Sequence, residues 1–157
     1  MRVYLKIMDH INKVLEKIVV LLLVVLTGAV FMQVLSRTFR FSLSWIEELV
    51  RYLLIWMAIW GSALVIYRSS LIHMDVLLKV VPKTVKLILT ELGSLLSAVF
   101  TLVVIYGSFE YIELGMGQIS PALQIDMGYV YLIIPTGFGI MFLNILAAAF
   151  KRWGGTV

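Results

Sequence analysis

Four stretches of the chain carry no charged side chain, at residues 18–36, 52–67, 92–109 and 127–150. At about 1.5 Å per residue, the first run makes a helix of about 28 Å, close to the thickness of a bilayer's hydrocarbon core. The second run is long enough only if its helix begins near Trp45. The pattern predicts an all-α integral membrane protein, a single membrane domain with transmembrane helices over about 14–37, 45–68, 82–112 and 127–151.

The composition supports a membrane protein. Hydrophobic residues make up 62% of the 157 residues and charged residues 14%, and the mean hydropathy is +1.04. A typical soluble domain has about 25% charged residues. The chain has no cysteine, which excludes a disulfide framework, a thiolate metal site and a cysteine nucleophile. The net charge of +4 comes from basic residues that border the apolar runs, so we expect membrane anchors and no nucleic-acid partner.

The basic residues also predict an orientation. Ten of the 13 Lys and Arg residues fall on the side that holds both termini and the connection between helices two and three. The positive-inside rule then places both termini in the cytoplasm. The first apolar run is longer than the core of a typical signal peptide, so we expect it to be retained as a helix.

Short amphipathic segments are expected beside the helices. Residues 3–17 predict a helix on the membrane surface that leads into helix one. Asp75 is a candidate N-cap of a second interfacial helix, and Pro82 suits the first turn of helix three. In helix four, Pro135 and Gly137 predict a bent or loosened half.

The start of helix two combines a cap with a cluster of charges. Ser44 and Glu47 have the spacing of a capping box. Arg51 follows Glu47 by four residues and Glu48 by three, so ion pairing within the helix is available. Trp45 suits the aromatic belt at the membrane interface. These charges either pair within the chain or reach another subunit.

Several small and aromatic residues predict close helix packing. Trp56 and Trp60 share one face of helix two, and Gly61 follows them. Helix three carries two pairs of small residues at close-packing spacing, Gly93 with Ser97 and Ser94 with Ala98. The sequence leaves open whether these faces pack inside the chain or against another subunit.

We find no catalytic motif, no metal-binding or cofactor-binding pattern and no substrate site, and we expect no enzyme. Glu91 is the one ionisable residue that falls well inside a predicted helix. It either reaches the membrane surface or pairs with a lysine, or it contacts a partner subunit or Asn144. A carrier usually has polar groups at the bilayer midplane, where this chain has almost none.

Ordered motifs along the chain resemble the small, DctQ-like membrane subunit of tripartite ATP-independent periplasmic (TRAP) transporters. They are Trp45-x-Glu47-Glu48-x-x-Arg51, Trp56, Gly61, His73-x-Asp75, Pro121-Ala122-Leu123-x-Ile125, Tyr131 and Ile134-Pro135-x-Gly137. The resemblance covers roughly residues 10–150. The sequence departs from the family pattern at Asp126-Met127-Gly128, where an aromatic residue is expected.

The resemblance implies a scaffold subunit in the inner membrane of a bacterium or archaeon. The implied partners are a large membrane subunit, which carries the substrate and sodium sites, a periplasmic protein that binds an organic acid, and the bilayer. Docking candidates are the cluster at helix two and the 110–126 loop with Glu110, Glu113 and Pro121. The alternative is a small four-helix multidrug exporter, which requires a carboxylate in helix one that residues 18–36 lack.

Overall fold

The computed structural model describes residues 2–39, 43–69 and 83–153, and all regular structure in this part of the chain is helical. The helices are α1 (Arg2–Thr38), α2 (Ser44–Ser69), α3 (Lys83–Gly115), α4 (Met127–Tyr131) and α5 (Ile133–Trp153). Four segments are long and apolar enough to cross a membrane: Val3–Thr38, Ser44–Arg68, Leu87–Gly115 and Met127–Phe150. The predicted all-helical class with four candidate spans is confirmed.

The helices form a row in the order α1, α2, α5 and α3, and α1 also contacts α5. The "loop end" of the row carries the 116–126 loop and the start of α2, and the "termini end" carries the first residues of α1 and the end of α5. The span that contains α5 is 39% buried, against 6% for the spans in α1 and in α3. α5 is therefore the centre of the subunit, and α1 and α3 present most of their apolar surface outward.

α1 is one continuous helix of 37 residues, about 55 Å long, where we expected a separate surface segment over residues 3–17. Met8, Asn12 and Leu15 in that segment are buried. They continue the stripe that packs α1 against its neighbours in the rest of the helix, at positions 19, 22, 26, 29, 33 and 36. Because this stripe runs through both parts, the first third of α1 packs on the other helices as a continuation of the rest of α1.

The seam between α1 and α2 follows the spacing of an antiparallel coiled coil. Buried and half-buried residues of α2 recur at steps of three and four, at positions 46, 50, 53, 57, 60, 64 and 67. Leu26 packs with Ile46 and Val50 toward the loop end, and Leu15 packs with Ala63 and Met141 toward the termini end. This periodicity was hidden in the sequence because the lipid-facing positions of both helices are also apolar.

The fourth predicted span is interrupted at Leu132, between α4 and α5. Pro135 has no N–H to donate to the carbonyl of Tyr131, four residues earlier, and its ring crowds that carbonyl. The Thr136 hydroxyl donates to the carbonyl oxygens of Leu132 (2.8 Å) and Ile133 (3.0 Å). The predicted disturbance at Pro135 is therefore a break, with a separate five-residue helix in front of it.

Gly137 has a packing role that differs from the loosening we expected. A Cβ atom at this position would lie 2.1 Å from Cγ2 of Ile59 and 3.4 Å from Cδ1 of Trp60. Only a residue without a side chain lets α5 approach α2 this closely. The glycine therefore tightens the central helix pair.

Candidate functional site

The Glu48 carboxylate joins α2 to the 116–126 loop. Its Oε2 accepts hydrogen bonds from the backbone N–H groups of Ala122 (2.9 Å) and Leu123 (3.0 Å), and its Oε1 accepts one from the Tyr52 hydroxyl. The same hydroxyl oxygen lies 3.2 Å from Sδ of Met127 in α4. Glu48 was expected to bind Arg51 or another subunit, and it is instead engaged by the chain's own loop. We call this group of contacts the Glu48 clasp.

The loop itself has a tight hydrogen-bonded shape. Asp126 caps α4 by accepting from the N–H of Gly128 (2.8 Å), and its second oxygen accepts from the N–H of Gly117 (3.0 Å). The Ser120 N–H donates to the Ile125 carbonyl at 2.8 Å, and Gln124 has a φ of 55°. The sequence Asp126-Met127-Gly128, which departs from the family pattern, thus supplies an N-cap to α4.

The other charges at the start of α2 are more exposed. Glu47 Oε1 accepts from Nη2 of Arg37 in α1 at 3.0 Å, and both side chains are more than half exposed. Arg51 and Trp45 are exposed on α2. Among the described residues, the ion pair of Glu47 is with Arg37 and none involves Arg51. α2 begins at Ser44, and the capping box of Ser44 and Glu47 stays a prediction.

Three predicted docking residues lie around the loop. Glu110 and Glu113 are exposed in the last turns of α3, which continues to Gly115, so the loop is shorter than the 110–126 segment that we expected. Pro121 is exposed beside the two N–H groups that Glu48 binds. The structure therefore places these three candidates at the same end of the row as Glu47 and Arg51.

The predicted aromatic face of α2 is present. The ring centroids of Trp56 and Trp60 are 5.8 Å apart, with the ring planes at 52°. Both indole N–H groups are buried and have no acceptor within the described part of the chain. A Cβ atom built on Gly61 has no atom within 4 Å, so this glycine makes no close helix contact among the described residues.

α3 uses one of its two small-residue pairs for packing inside the chain. Ser94 and Ala98 are half-buried and lie on a stripe with the buried Thr101 and Ser108. The other pair, Gly93 and Ser97, is exposed, and a Cβ atom built on Gly93 has nothing within 4 Å. This outward pair is therefore open to a neighbouring molecule. Glu91 is half-buried on the same helix.

Two asparagines join three helices near the termini end, and we call this group the asparagine junction. Asn12 Nδ2 of α1 donates to Oδ1 of Asn144 in α5 at 2.7 Å, and Asn144 Nδ2 donates back to Asn12 Oδ1 at 3.0 Å. Asn144 also donates to the carbonyl of Ala63 in α2 at 2.9 Å. The Asn144 side chain is therefore engaged by Asn12 and Ala63, and its contact with Glu91 stays one of the alternatives that the sequence left open.

Comparison with known proteins decides the family. The model of the DctQ component of tripartite ATP-independent periplasmic transporters matches residues 26–155. The chain belongs to the DctQ family. Two proteins of Haemophilus influenzae named as TRAP transporter small permease proteins are 28% and 25% identical, covering 77% and 82% of this chain and 76% and 79% of their own lengths. The isethionate TRAP transporter permease protein DctMQ of Oleidesulfovibrio alaskensis is 27% identical over 65% of this chain and 16% of its own length.

This membership confirms the resemblance seen in the motifs. The chain is a small permease subunit of a TRAP transporter, a multi-pass membrane protein and a component of a tripartite system with no enzymatic role. It also leaves the multidrug-exporter alternative without support. The clasp brings together two motifs, the paired acids of helix two and Pro121-Ala122-Leu123, that sequence reasoning recognised but did not connect.

Two predicted residues lie outside the part of the chain that the structure describes, and two residues that make contacts in the structure were not predicted. Asp75 and Pro82 fall in residues 70–82, which are not described. Asn12 and Tyr52 are contact residues that sequence reasoning missed. Asn12 had a signal, because it occupies the buried stripe of α1 between Met8 and Leu15. Among the described residues, no group of three His, Asp or Glu side chains could hold a metal ion.

Proposed function

We propose that this DctQ component is the non-catalytic scaffold of a sodium-driven TRAP transporter for organic acids. It holds the large membrane subunit in place and helps to dock the periplasmic binding protein. In this arrangement the loop end faces the periplasm, and both termini lie in the cytoplasm of a bacterial or archaeal inner membrane. The excess of basic residues at the termini end supports that orientation.

The observation that carries the scaffold role is how the buried polar side chains are used. The amides of Asn12 and Asn144 bind each other and a backbone carbonyl, and the Glu48 carboxylate binds a phenol and two backbone N–H groups. These groups hold helices together, which leaves them unavailable for a polar solute. A substrate path would need such groups to be open toward a cavity.

The open face of α3 supports a contact with the large subunit. Gly93 and Ser97 allow a second helix to approach closely, and the chain does not use them itself. The match to this chain covers only 16% of the length of the related DctMQ protein. Its name combines an M component with the Q component to which this family corresponds. A partner of that larger kind fits the apolar surface that α3 exposes.

The loop end supports a role in docking the binding protein. The Glu48 clasp and Asp126 hold the loop in one shape, so a partner would not have to order it on binding. Glu110 and Glu113 add exposed negative charge beside the loop, and Arg51 adds positive charge on α2. Trp45, Trp56, Trp60 and Gly61 remain candidates for contacts with the large subunit or with lipid.

A matched pair of glycine variants tests the scaffold role. Gly93→Leu places a large side chain where the chain itself has open space, so the subunit folds but the large subunit is displaced. Gly28→Leu is the control, because a Cβ atom at Gly28 in α1 also has nothing within 4 Å. We expect Gly93→Leu to lower co-purification of the large subunit and uptake of organic acid about tenfold or more, since an overpacked contact costs about 1–3 kcal/mol.

The control variant should retain both the partner and uptake. Equal behaviour of the two variants would contradict the assignment of the α3 face. Sodium-driven uptake by this chain reconstituted without the large subunit would contradict the scaffold role itself.

A further inference from the structure

The first third of α1 presents a basic face. Lys6, His10, Lys13 and Lys17 are all exposed and follow one another at steps of four, three and four. At about 100° per residue their directions fall within about 60° of one another. Met8, Asn12 and Leu15 point to the opposite side, where they are buried against the other helices. The basic face is therefore on the outside of the helix row.

The lysines of this face have no ion partner of their own in the described part of the chain. The two ion pairs found there are Arg37 with Glu47 and Arg68 with Glu16, the latter at 2.6 Å. Because Glu16 is bound to Arg68, it is not available to neutralise Lys17. Asp9 is exposed at the edge of the face. It is the one acidic residue beside the face that forms no ion pair within the described part of the chain. The face keeps a positive charge.

The helix that carries this face is held along the other helices. The Tyr4 hydroxyl donates to the carbonyl of Leu143 in α5 at 2.9 Å, and the rings of Tyr4 and Phe150 meet edge to face at 5.9 Å. The asparagine junction fixes the helix again two turns later. From Lys6 to Lys17 the face therefore extends for about 17 Å along the helix row, through a layer of headgroups rather than along its surface.

The same side of α1 becomes apolar directly beyond Lys17. Val20, Val24 and Phe31 fall within about 60° of the basic residues and are 55%, 64% and 65% exposed. A positive segment followed by an exposed apolar track of about 20 Å matches the two parts of a phospholipid, a phosphate headgroup and its acyl chains. A soluble polyanion would use only the first part of this surface.

We propose that this face of α1 binds anionic phospholipids, with Lys6, His10, Lys13 and Lys17 at the headgroup phosphates and Val20 and Val24 along the acyl chains. We call it the α1 lipid face. Basic residues near a membrane surface each contribute about 1 kcal/mol of attraction to anionic lipid. The inference does not depend on the scaffold role, because it concerns the lipid around the subunit and not the transport cycle.

The test uses the absence of cysteine from the chain. Val20→Cys gives one attachment site for a fluorophore on the α1 lipid face, and Val34→Cys gives a second site, 56% exposed, toward the loop end. The transporter complex is reconstituted in phosphatidylcholine vesicles with a small fraction of brominated phosphatidylglycerol or brominated phosphatidylcholine, which quench the label on contact. We expect phosphatidylglycerol to be favoured about fivefold at position 20 and hardly at all at position 34.

Two charge-matched variants identify the residues. K6Q/K13Q/K17Q should bring the ratio of phosphatidylglycerol to phosphatidylcholine contact at position 20 close to one. K79Q/K83Q/K86Q, which removes the same charge from a later part of the sequence, should leave this ratio unchanged. The proposal is overturned if neither lipid quenches the label at position 20, because a protein then covers the face. It is also overturned if the wild-type preference is one, or if both triple variants reduce it equally.

Discussion

The two ends of the subunit are held together by different chemistry. At the termini end, the asparagine junction joins α1, α2 and α5 with neutral amides and one carbonyl. At the loop end, the Glu48 clasp joins α2 to the loop with a carboxylate, a phenol and two backbone N–H groups. Asn144 is fully buried, whereas Glu48 is only half-buried.

The difference follows from how deeply each group is buried between the helices. A charge is costly where it is buried away from solvent, so a contact that is fully buried between helices uses groups that are neutral and can bind each other in pairs. A half-buried carboxylate costs less to desolvate, and it binds N–H groups more strongly than an amide does. A loop with free N–H groups can then be fixed by one side chain. The asparagine junction sets the register of the helices, and the Glu48 clasp sets the shape of the 116–126 loop.

The largest effect is expected from removing the carboxylate of the clasp. Glu48→Ala deletes an acceptor of three hydrogen bonds and leaves the N–H groups of Ala122 and Leu123 without it, so the loop should open locally far more often. Hydrogen exchange of those two amides should become about 100-fold faster. Glu48→Gln keeps a carbonyl oxygen for the two N–H groups and should speed their exchange much less than Glu48→Ala does.

Glu47→Ala is the matched control for this variant, because it removes the neighbouring carboxylate and an exposed ion pair only. Exchange at Ala122 and Leu123 should then stay at the wild-type rate. If Glu47→Ala released the loop as much as Glu48→Ala, the clasp would not be what holds it.

Substitutions in the asparagine junction should have a smaller effect than removal of the Glu48 carboxylate. Their effects on the free energy of unfolding should also be non-additive, because the two amides bind each other. Asn144→Leu leaves the amide oxygen of Asn12 buried without its donor and should lower the free energy of unfolding by about 1–2 kcal/mol. The double variant Asn12→Leu/Asn144→Leu removes both amides, so it should be more stable than the sum of the single variants. Equilibrium unfolding in mixed micelles measures all three.

Simple additivity of the two substitutions would show that the amides do not depend on each other. The same result would remove the distinction drawn between the two ends, because the junction would then act through packing alone.

The sequence predicted the spans well because they depend on local composition. Charge-free runs and their flanking charges determine which segments can cross a bilayer, whatever their neighbours. The continuity of α1 was missed because residues 3–17 contain lysines, which look like a surface helix until the buried side of the same helix is known. The break before Pro135 was anticipated as a bend, since a proline disturbs a helix in any context.

The contacts between segments were beyond reach of the sequence. Glu48 and Ala122 are 74 residues apart, and Asn12 and Asn144 are 132 apart. The spacing of Glu48 and Arg51 allowed an ion pair within α2. Only the position of the loop shows that the Glu48 carboxylate accepts hydrogen bonds from the loop instead. The choice between Gly93 and Ser94 as the packing side of α3 likewise required the neighbouring helix α5.

The exposed ion pairs at the two ends should have the smallest effect, and they sharpen the comparison. Glu47 and Arg37 at the loop end have side chains that are 52% and 71% exposed, and Glu16 and Arg68 at the termini end 47% and 64%. Exposed pairs of this kind contribute about 0–1 kcal/mol and weaken as salt is added. Glu47→Gln and Glu16→Gln should therefore each leave the free energy of unfolding almost unchanged, with no difference between the ends. A loss above about 1.5 kcal/mol for Glu16→Gln alone would show that α1 and α2 depend on charge at the termini end as well, and that the use of neutral groups there is confined to the buried position of Asn144.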